Sequence, residues 1–285
     1  MDRYLRELLA IGREAFERVR STKALIAGCG ALGSSLVESL ARIGIGKLVL
    51  IDADVVEIGN LSTTHMYTTD DVGRPKVDVC RDHVSRINPE VEVEVHHDIL
   101  DRNNVEDYVS KVDVVFDGLD SLYVRLLLND ACVKLGKPFF YAGISGEYVT
   151  VKAIVPGVTS CLSCFLGYSP NETNACNVLG TTIVAPSVVA NLQVQLFLNY
   201  LRGNVRDELY LIELDRMEFA RVQLSKNPKC KACGLREFPY LGGKISPSHC
   251  EITRIEGRSE NLTVTEGSSF VKICYPEGCF QRRRY

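Results

Sequence analysis

Two pairs of cysteines form the clearest chemistry-bearing pattern in this 285-residue chain. Each pair has the spacing C-x-x-C, and the four residues are Cys161, Cys164, Cys230 and Cys233. Four thiolates spaced in this way match the closed tetrahedral coordination of structural zinc, which leaves no open position for a substrate. We therefore expect a structural Zn²⁺ that joins two segments distant in sequence. Four reduced thiols, or disulfides, are the alternative.

A glycine motif points to a nucleotide. Gly28, Gly30 and Gly33 have the spacing G-x-G-x-x-G between an apolar run and a helix-like segment. At such a turn, backbone amides and a helix N-terminus can approach a phosphate. Asp52 ends the next apolar run, where a carboxylate can accept hydrogen bonds from ribose hydroxyls. The pattern predicts a nucleotide site without specifying the nucleotide; a glycine turn used only for packing is the alternative.

Lys76 and two aspartates bear on the choice of nucleotide. Lys76, in GRPKV (73–77), falls in the first turn of a predicted helix, where it either faces phosphates or is simply solvated. Asp117 and Asp120 follow a buried run at the carboxyl end of a predicted strand, which is where open α/β sheets bind ligands. Carboxylates there suit Mg²⁺ bound to phosphates. A dinucleotide dehydrogenase has no use for this arrangement.

The elements that position these residues alternate between strands and helices. Residues 23–52 have the pattern of a strand, a glycine turn, a helix and a second strand. Further strands are predicted at 91–98, 112–120, 208–215 and in the two runs PFFYAGISG and EYVTVKAIV, and further helices at 75–88, 121–136 and 188–203. This alternation predicts an α/β fold, a Rossmann-like, doubly wound and mostly parallel sheet.

The two ends of the chain differ from this pattern. Residues 2–20 are predicted to form one docking helix with Leu5, Leu8, Leu9 and Phe16 on one face. After Gly234 the helical periodicity disappears. We therefore expect one domain over residues 1–235 and a small β-rich extension over 236–285, whose role the sequence does not indicate.

Composition excludes several classes of partner. The formal net charge is −3, so no global basic field is available for a nucleic acid or an anionic membrane, and neither is expected as a partner. Apolar stretches are shorter than the roughly 18 residues that a membrane span needs. The first 19 residues lack the apolar segment of a secretory signal. Together these features favour a cytoplasmic protein.

Taken together, the motifs resemble those of the ThiF/MoeB/HesA superfamily of ubiquitin-activating-type enzymes. The resemblance rests on the glycine motif, Asp52-x-Asp54 followed by Asn60-Leu61, the Gly-x-Pro-Lys-Val helix start, the two aspartates after the strand and the two cysteine pairs, in that order. It extends over roughly residues 2–235, and Arg3-Tyr4-Leu5-Arg6 matches the family's Arg-Tyr-x-Arg helix.

The resemblance implies a reaction and a set of partners. The C-terminal glycine carboxylate of a β-grasp carrier protein, either ubiquitin-like or a sulfur carrier ending in Gly-Gly, attacks the α-phosphate of MgATP to give an acyl-adenylate and pyrophosphate. By resemblance, Asp52 holds the ribose, with Asp54 and Asn60 beside it, and Gly30 lets the backbone approach the phosphates. Lys76 binds the phosphates and Asp120 the Mg²⁺.

Two further roles follow from the resemblance alone. Arg6 would reach the ATP of a neighbouring protomer, which implies a homodimer. Cys176, in NACNVLG (174–180), matches a family cysteine that forms a thioester or takes part in sulfur transfer; a surface thiol is the alternative.

One position departs from the family pattern Asn-Leu-x-Arg-Gln. Thr63 stands where the family has an arginine that contacts the ATP phosphates. Removing one such preorganised charge costs on the order of 3 kcal/mol, so either the activity is weak or another cation substitutes, with Arg74 and Arg125 as candidates. Adenylation of a small carboxylate, such as a cofactor precursor or modified nucleoside, and a catalytically degenerate scaffold remain alternative functions.

Overall fold

A computed structural model describes residues 3–166 and 180–245 in full, together with the backbone of three C-terminal strands. The chain divides into two compact units. The first contains residues 3–166 and 181–245, and the second contains the three strands. Of the residues so described, none belongs to a helix that is both long and apolar enough to cross a membrane.

An eight-stranded sheet forms the centre of the first unit. Its strands lie in the order β3-β2-β1-β4-β5-β6-β7-β8, with β1 to β5 parallel and β6 to β8 antiparallel. The bounds are β1 Lys23–Ala27, β2 Lys47–Ile51, β3 Glu92–His96, β4 Val114–Asp117, β5 Phe139–Ser145, β6 Tyr148–Ile154, β7 Glu208–Glu213 and β8 Glu218–Gln223. The predicted α/β class with a mostly parallel sheet is confirmed.

Helices cover both faces of this sheet. They are α1 Leu5–Ile11, α2 Arg13–Ser21, α3 Ala31–Arg42, α4 Lys76–Ile87, α5 Val105–Ser110, α6 Leu122–Leu135, α7 Leu162–Leu166 and α8 Val184–Leu201. Because successive strand residues point to opposite faces, Ile26 of β1 joins the core formed with α3, α4 and α8, while Leu25 joins the core formed with α5 and α6. This is the doubly wound arrangement expected from the alternating pattern.

Several predicted elements require correction. The single helix predicted over residues 2–20 is wrong, because Gly12 adopts a φ of 82° and separates α1 from α2. Leu5 and Leu9 are exposed on α1 and do not form a buried face. The long helix begins at Val184, earlier than predicted. The sequence also failed to predict α5 and β8; every residue of β8 is exposed, so it lacks the alternating burial that identifies a strand.

The second unit contains an antiparallel sheet of three strands, β9 Thr263–Glu266, β10 Phe270–Tyr275 and β11 Gly278–Arg283. It lies within the segment that the sequence predicted to be rich in β structure. Residues 236–245, which precede it, belong to the first unit, where Tyr240 is fully buried.

Helix α6 holds two distant segments of the first unit. It begins at the Ser121 side chain, which accepts a hydrogen bond from the Val124 amide, and ends at Gly136 in the left-handed conformation. From its middle, Asn129 accepts a hydrogen bond from the amide of Leu162 at 2.9 Å, and Asp130 accepts one from the amide of Tyr240 at 3.0 Å. Burial raises the pKa of Asp130 to about 7.

This raised pKa predicts how stability depends on pH. Between the ordinary value of 3.8 and about 7, the folded state binds the Asp130 proton more tightly than the unfolded chain does. The stabilisation of the folded state by this tighter proton binding is fully present below about pH 4. It is lost as the pH rises to 7, by at most about 1.4 kcal/mol per pH unit. We therefore expect Asp130→Asn to gain stability relative to wild type as the pH rises from 5 to 7.5.

Urea denaturation of both proteins at several pH values measures this effect. The difference between the two free energies of unfolding isolates Asp130, because all other titrating groups are common to both. Parallel pH profiles would contradict the prediction.

Candidate nucleotide and metal sites

The turn between β1 and α3 packs directly against the end of β4. Gly28 has a φ of 89°, and a Cβ on it would lie 2.6 Å from the carbonyl oxygen of Gly118. A Cβ on Gly33 would lie 1.9 Å from the carbonyl oxygen of Gly28. Gly118, between the two predicted acidic positions, is equally constrained. These three glycines are therefore required by the fold itself.

Gly30 is different. Its φ is −70°, and a Cβ on it would meet nothing within 4 Å in the structure. It lies at the N-cap of α3, and no side chain caps this helix end. The fold gives no steric reason for glycine here, and the amides at a helix N-terminus without a side-chain cap can bind an anion such as a phosphate.

Three of the predicted residues form one chain of contacts beside this turn. Asp52 accepts hydrogen bonds from the amide of Cys29 at 2.6 Å and from the amide of Asp54 at 2.8 Å. Asp54 in turn lies 2.9 Å from the ammonium of Lys76, whose amide donates to the Asp54 carbonyl at 3.0 Å. The Lys76 side chain is only 9% exposed. The structure therefore brings the predicted ribose residue, the glycine turn and the predicted phosphate-binding lysine together.

Asn60 closes the loop that follows β2. Its side-chain oxygen accepts the amide of Glu57 at 2.9 Å, and the Glu57 side chain bonds the Asn60 amide in return. Thr63 and Thr64 both donate side-chain hydrogen bonds to the Asn60 carbonyl, at 3.3 and 3.0 Å. His65 then contacts Ser187 of α8 at 2.8 Å. Asn60 therefore organises the loop, and its contact with ATP stays a prediction.

Both arginines proposed as substitutes for the missing family arginine are held by carboxylates. Arg74 lies 2.8 Å from Asp71 and 2.6 Å from Asp82. Arg125 lies 2.8 Å from Asp117 and also donates to the carbonyl of Leu119. In the described structure neither guanidinium is free to replace the arginine that is absent at Thr63.

The two aspartates after β4 have different roles. Asp117 is fully buried and accepts hydrogen bonds from the amides of Leu119 at 3.0 Å and Ala142 at 3.4 Å. Burial raises its pKa, although the Arg125 guanidinium opposes this effect. Asp120 is exposed, two residues beyond Gly118 and the glycine turn. Of this pair, Asp120 is the carboxylate that can reach a metal–nucleotide complex.

The four predicted zinc ligands converge. The Sγ atoms of Cys161, Cys164, Cys230 and Cys233 all lie within 4.8 Å of one another. Three of the Sγ–Sγ distances within the cluster are 3.3, 3.6 and 3.9 Å. A tetrahedral zinc with bonds of about 2.3 Å requires sulfur–sulfur distances of about 3.8 Å, so the cluster fits the ion. Beside it lies an ion pair between Lys152 and Asp207, which no pattern in the sequence predicted.

The remaining predicted residues are not brought to the site by the described part of the chain. Arg6 is exposed on α1. Cys176 lies outside the described residues. Cys29, Cys80 and Cys132 are all fully buried.

Fold and site geometry together define a doubly wound α/β protein with a glycine turn at the carboxyl edge of its sheet. Comparison with known proteins identifies the family to which this protein belongs. The model of the ThiF family matches residues 3–232. The chain therefore belongs to the ThiF family, and the resemblance found in the sequence is confirmed.

Individual relatives are consistent with this family, and a solved structure has the same fold. The sulfur carrier protein ThiS adenylyltransferase of Bacillus subtilis is 34% identical over 84% of this chain and 73% of its own length. The SAMP-activating enzyme E1 of Haloferax volcanii is 32% identical over 82% of this chain and 89% of its own. The crystal structure of E. coli MccB with ATP has a TM-score of 0.73 at 24% identity, over 82% of this chain and 75% of that one, which shows a shared fold.

The contrast between Gly30 and Gly33 gives a testable prediction. We expect Gly30→Ala to lower the free energy of unfolding by only about 1 kcal/mol, because its Cβ enters open space and the cost is that alanine is a poorer N-cap than glycine. The same methyl group would obstruct a phosphate, so nucleotide binding should weaken. Gly33→Ala is the matched variant: its Cβ would overlap the Gly28 carbonyl, and the protein should lose stability.

Thermal denaturation and calorimetric titration with ATP measure the two effects. Nucleotide affinity unchanged in Gly30→Ala would show that the open space at the helix N-terminus is not used by the nucleotide.

Proposed function

We propose that this protein is an ATP-dependent adenylyltransferase that activates the C-terminal glycine carboxylate of a ubiquitin-like or sulfur-carrier β-grasp protein. The observation that carries the proposal is the buried Lys76 ammonium, joined through Asp54 and Asp52 to the glycine turn. This places a fixed positive charge beside a helix N-terminus that is open at Gly30. The names of the curated relatives support the same activity.

The reaction requires positioning and positive charge and no covalent help from the protein. A carboxylate oxygen of the acceptor attacks the α-phosphorus of ATP, the bond to the bridging oxygen breaks, and pyrophosphate leaves. Because the nucleophile is already ionised, no general base is needed. Lys76 reduces the repulsion between the two anions, and the amides at the N-terminus of α3 hold phosphate oxygens. Asp52 would accept from the ribose hydroxyls.

Asp120 is the residue that would hold Mg²⁺. It is exposed at the carboxyl edge of the sheet, where a carboxylate can bind an ion that also binds phosphate oxygens. Bound there, Mg²⁺ would neutralise charge on the leaving pyrophosphate.

Two parts of the proposal rest on the family resemblance alone. Arg6 of a second protomer would complete the phosphate site in a homodimer. Cys176 would then accept the activated acyl group or take part in sulfur transfer.

One face of the antiparallel strands offers a place for a protein acceptor. Residues paired across β7 and β8 share a face, and Tyr210 and Ile212 point to the core formed with α8. The opposite face carries Ala220 and Val222, both exposed, and Tyr148, which is 39% exposed. Tyr148 begins β6 at the edge where β4 ends, so a protein bound on this face could direct its C-terminus toward Asp120.

We expect ATP–pyrophosphate exchange when a Gly-Gly-ending β-grasp partner is added, and we expect Asp120→Asn to abolish it. Placing a charge on the proposed docking face with Ala220→Glu should raise the KM for the carrier and leave the Kd for ATP unchanged. Phe219→Glu introduces the same charge on the neighbouring residue, which points to the opposite face, and is the matched control.

The outcomes separate the candidate functions. Exchange stimulated by a small carboxylate alone would favour a small-molecule acceptor. Nucleotide binding without exchange toward any carrier from the same genome, and no effect of Asp120→Asn, would favour a scaffold. Equal effects of the two glutamate variants would exclude the proposed face.

The missing arginine gives a further prediction. We expect Thr63→Arg to leave folding intact, because Thr63 contributes one side-chain hydrogen bond of 3.3 Å, worth about 1 kcal/mol. Exchange should not fall, because the new cation adds a charge that Arg74 and Arg125 do not supply.

Exchange rates and melting temperatures of Thr63→Arg and of Thr63→Gln, a long uncharged control, test this. A large loss of exchange in the arginine variant alone would mean that another cation already occupies the space.

A further inference from the structure

A buried ion pair lies next to the cysteine cluster. The Lys152 side chain, on β6, is fully buried, and its ammonium lies 2.6 Å from Oδ1 of Asp207, which directly precedes β7. Asp207 also accepts hydrogen bonds from the backbone amide of Ser160 at 2.9 Å and from its hydroxyl at 2.6 Å. Ser160 is the residue immediately before Cys161, the first of the four clustered cysteines. Asp207 therefore bonds the residue that directly precedes the first cysteine of the cluster.

Stability alone does not account for this pair. Removing an ammonium and a carboxylate from water costs several kcal/mol per ion, and well-packed apolar residues in their place are often as stable or more so. The Asp207 carboxylate nevertheless stays ionised: although burial opposes it, hydrogen bonds from Lys152 and Ser160 hold its pKa below the ordinary value. The fold therefore keeps a charged pair here in spite of the cost of removing it from water.

The cysteine cluster provides a use for that charge. Four thiolates around one Zn²⁺ carry a net charge of −2, and two of the sulfurs here are almost completely buried. In surroundings of low dielectric constant, a nearby cation stabilises such a charge far more than it would in water. Lys152 is connected to the cluster through Asp207: its ammonium and the hydroxyl of Ser160, the residue before Cys161, both bond Oδ1 of this carboxylate.

We propose that Lys152 and Asp207, which are not metal ligands themselves, stabilise the binding of zinc by the four cysteines. Lys152 offsets the negative charge of the thiolates, and Asp207 fixes the backbone that carries Cys161 through the Ser160 amide and hydroxyl. The same two residues join β6 and the start of β7 to the cysteine cluster. The pair therefore sets how tightly the metal is held, and this role is independent of the reaction proposed above.

Zinc retention by the full-length protein tests the proposal. After metal analysis has established one zinc per chain, the purified protein is mixed with a chromogenic chelator and the transfer of zinc is followed over time. We expect Lys152→Met to accelerate this transfer by about 10- to 100-fold, the usual effect of removing a partner of metal ligands. Asp207→Asn preserves the side-chain volume but leaves one acceptor oxygen where two now hold the Ser160 amide and hydroxyl, so loss of this backbone anchor should accelerate the transfer as well. It provides a second variant if Lys152→Met does not fold.

A matched variant separates this role from a general loss of stability. Phe197, on α8, is fully buried on the opposite face of the sheet. Phe197→Leu lowers the melting temperature without touching the cysteine cluster, and it should release zinc at nearly the wild-type rate. Either of two results overturns the proposal. The first is zinc release at the wild-type rate from both Lys152→Met and Asp207→Asn, and the second is a release rate that depends on melting temperature in the same way in all three variants. Wild-type protein without zinc overturns it too, and leaves the adenylation proposal standing.

Discussion

The close approach of the β1–α3 turn to the end of β4 is the constraint on which the rest of the site depends. Gly28, Gly33 and Gly118 meet at distances that no side chain could occupy. This contact brings the N-terminus of α3 to the carboxyl edge of the sheet and fixes where the chain leaves β4 toward Asp120. Side chains on β2 and α4 can then converge on the same edge.

Ionic and hydrogen-bonding contacts at this edge hold the ammonium of the buried Lys76 in place. Asp52 is held by two backbone amides, and it orients Asp54, which in turn holds the Lys76 ammonium. An anion arriving at the turn therefore meets a charge whose position is already fixed, so little reorganisation is required. Arg74 and Arg125 are engaged more extensively in the fold: Arg74 bonds two carboxylates, and Arg125 bonds the buried Asp117 and the Leu119 carbonyl.

Helix α6 links this edge to the cysteine cluster. Its first turn follows Asp120, and its middle holds the segments that flank both cysteine pairs through Asn129 and Asp130. The buried pair of Lys152 and Asp207 approaches the same cluster from the antiparallel strands. The two cysteine pairs follow β6 and β8, which both belong to the antiparallel part of the sheet, so a metal ion held by them would cross-link the segments that follow these strands.

The sequence by itself determined the alternation of strands and helices, the glycine turn and the two C-x-x-C pairs, because each of these is encoded by local spacing. It failed where long-range packing decides the outcome. Gly12 divides the first helix through a backbone conformation that periodicity does not reveal. Strand β8 has no alternating burial because it lies at the edge of the sheet. Only the tertiary structure showed that Asp117 is buried against Arg125 while Asp120 remains exposed, since both aspartates follow the same strand. Only the tertiary structure, likewise, separated Gly30 from the glycines that the fold requires and paired Lys152 with Asp207 near the cysteine cluster, because both depend on which atoms surround a residue in three dimensions.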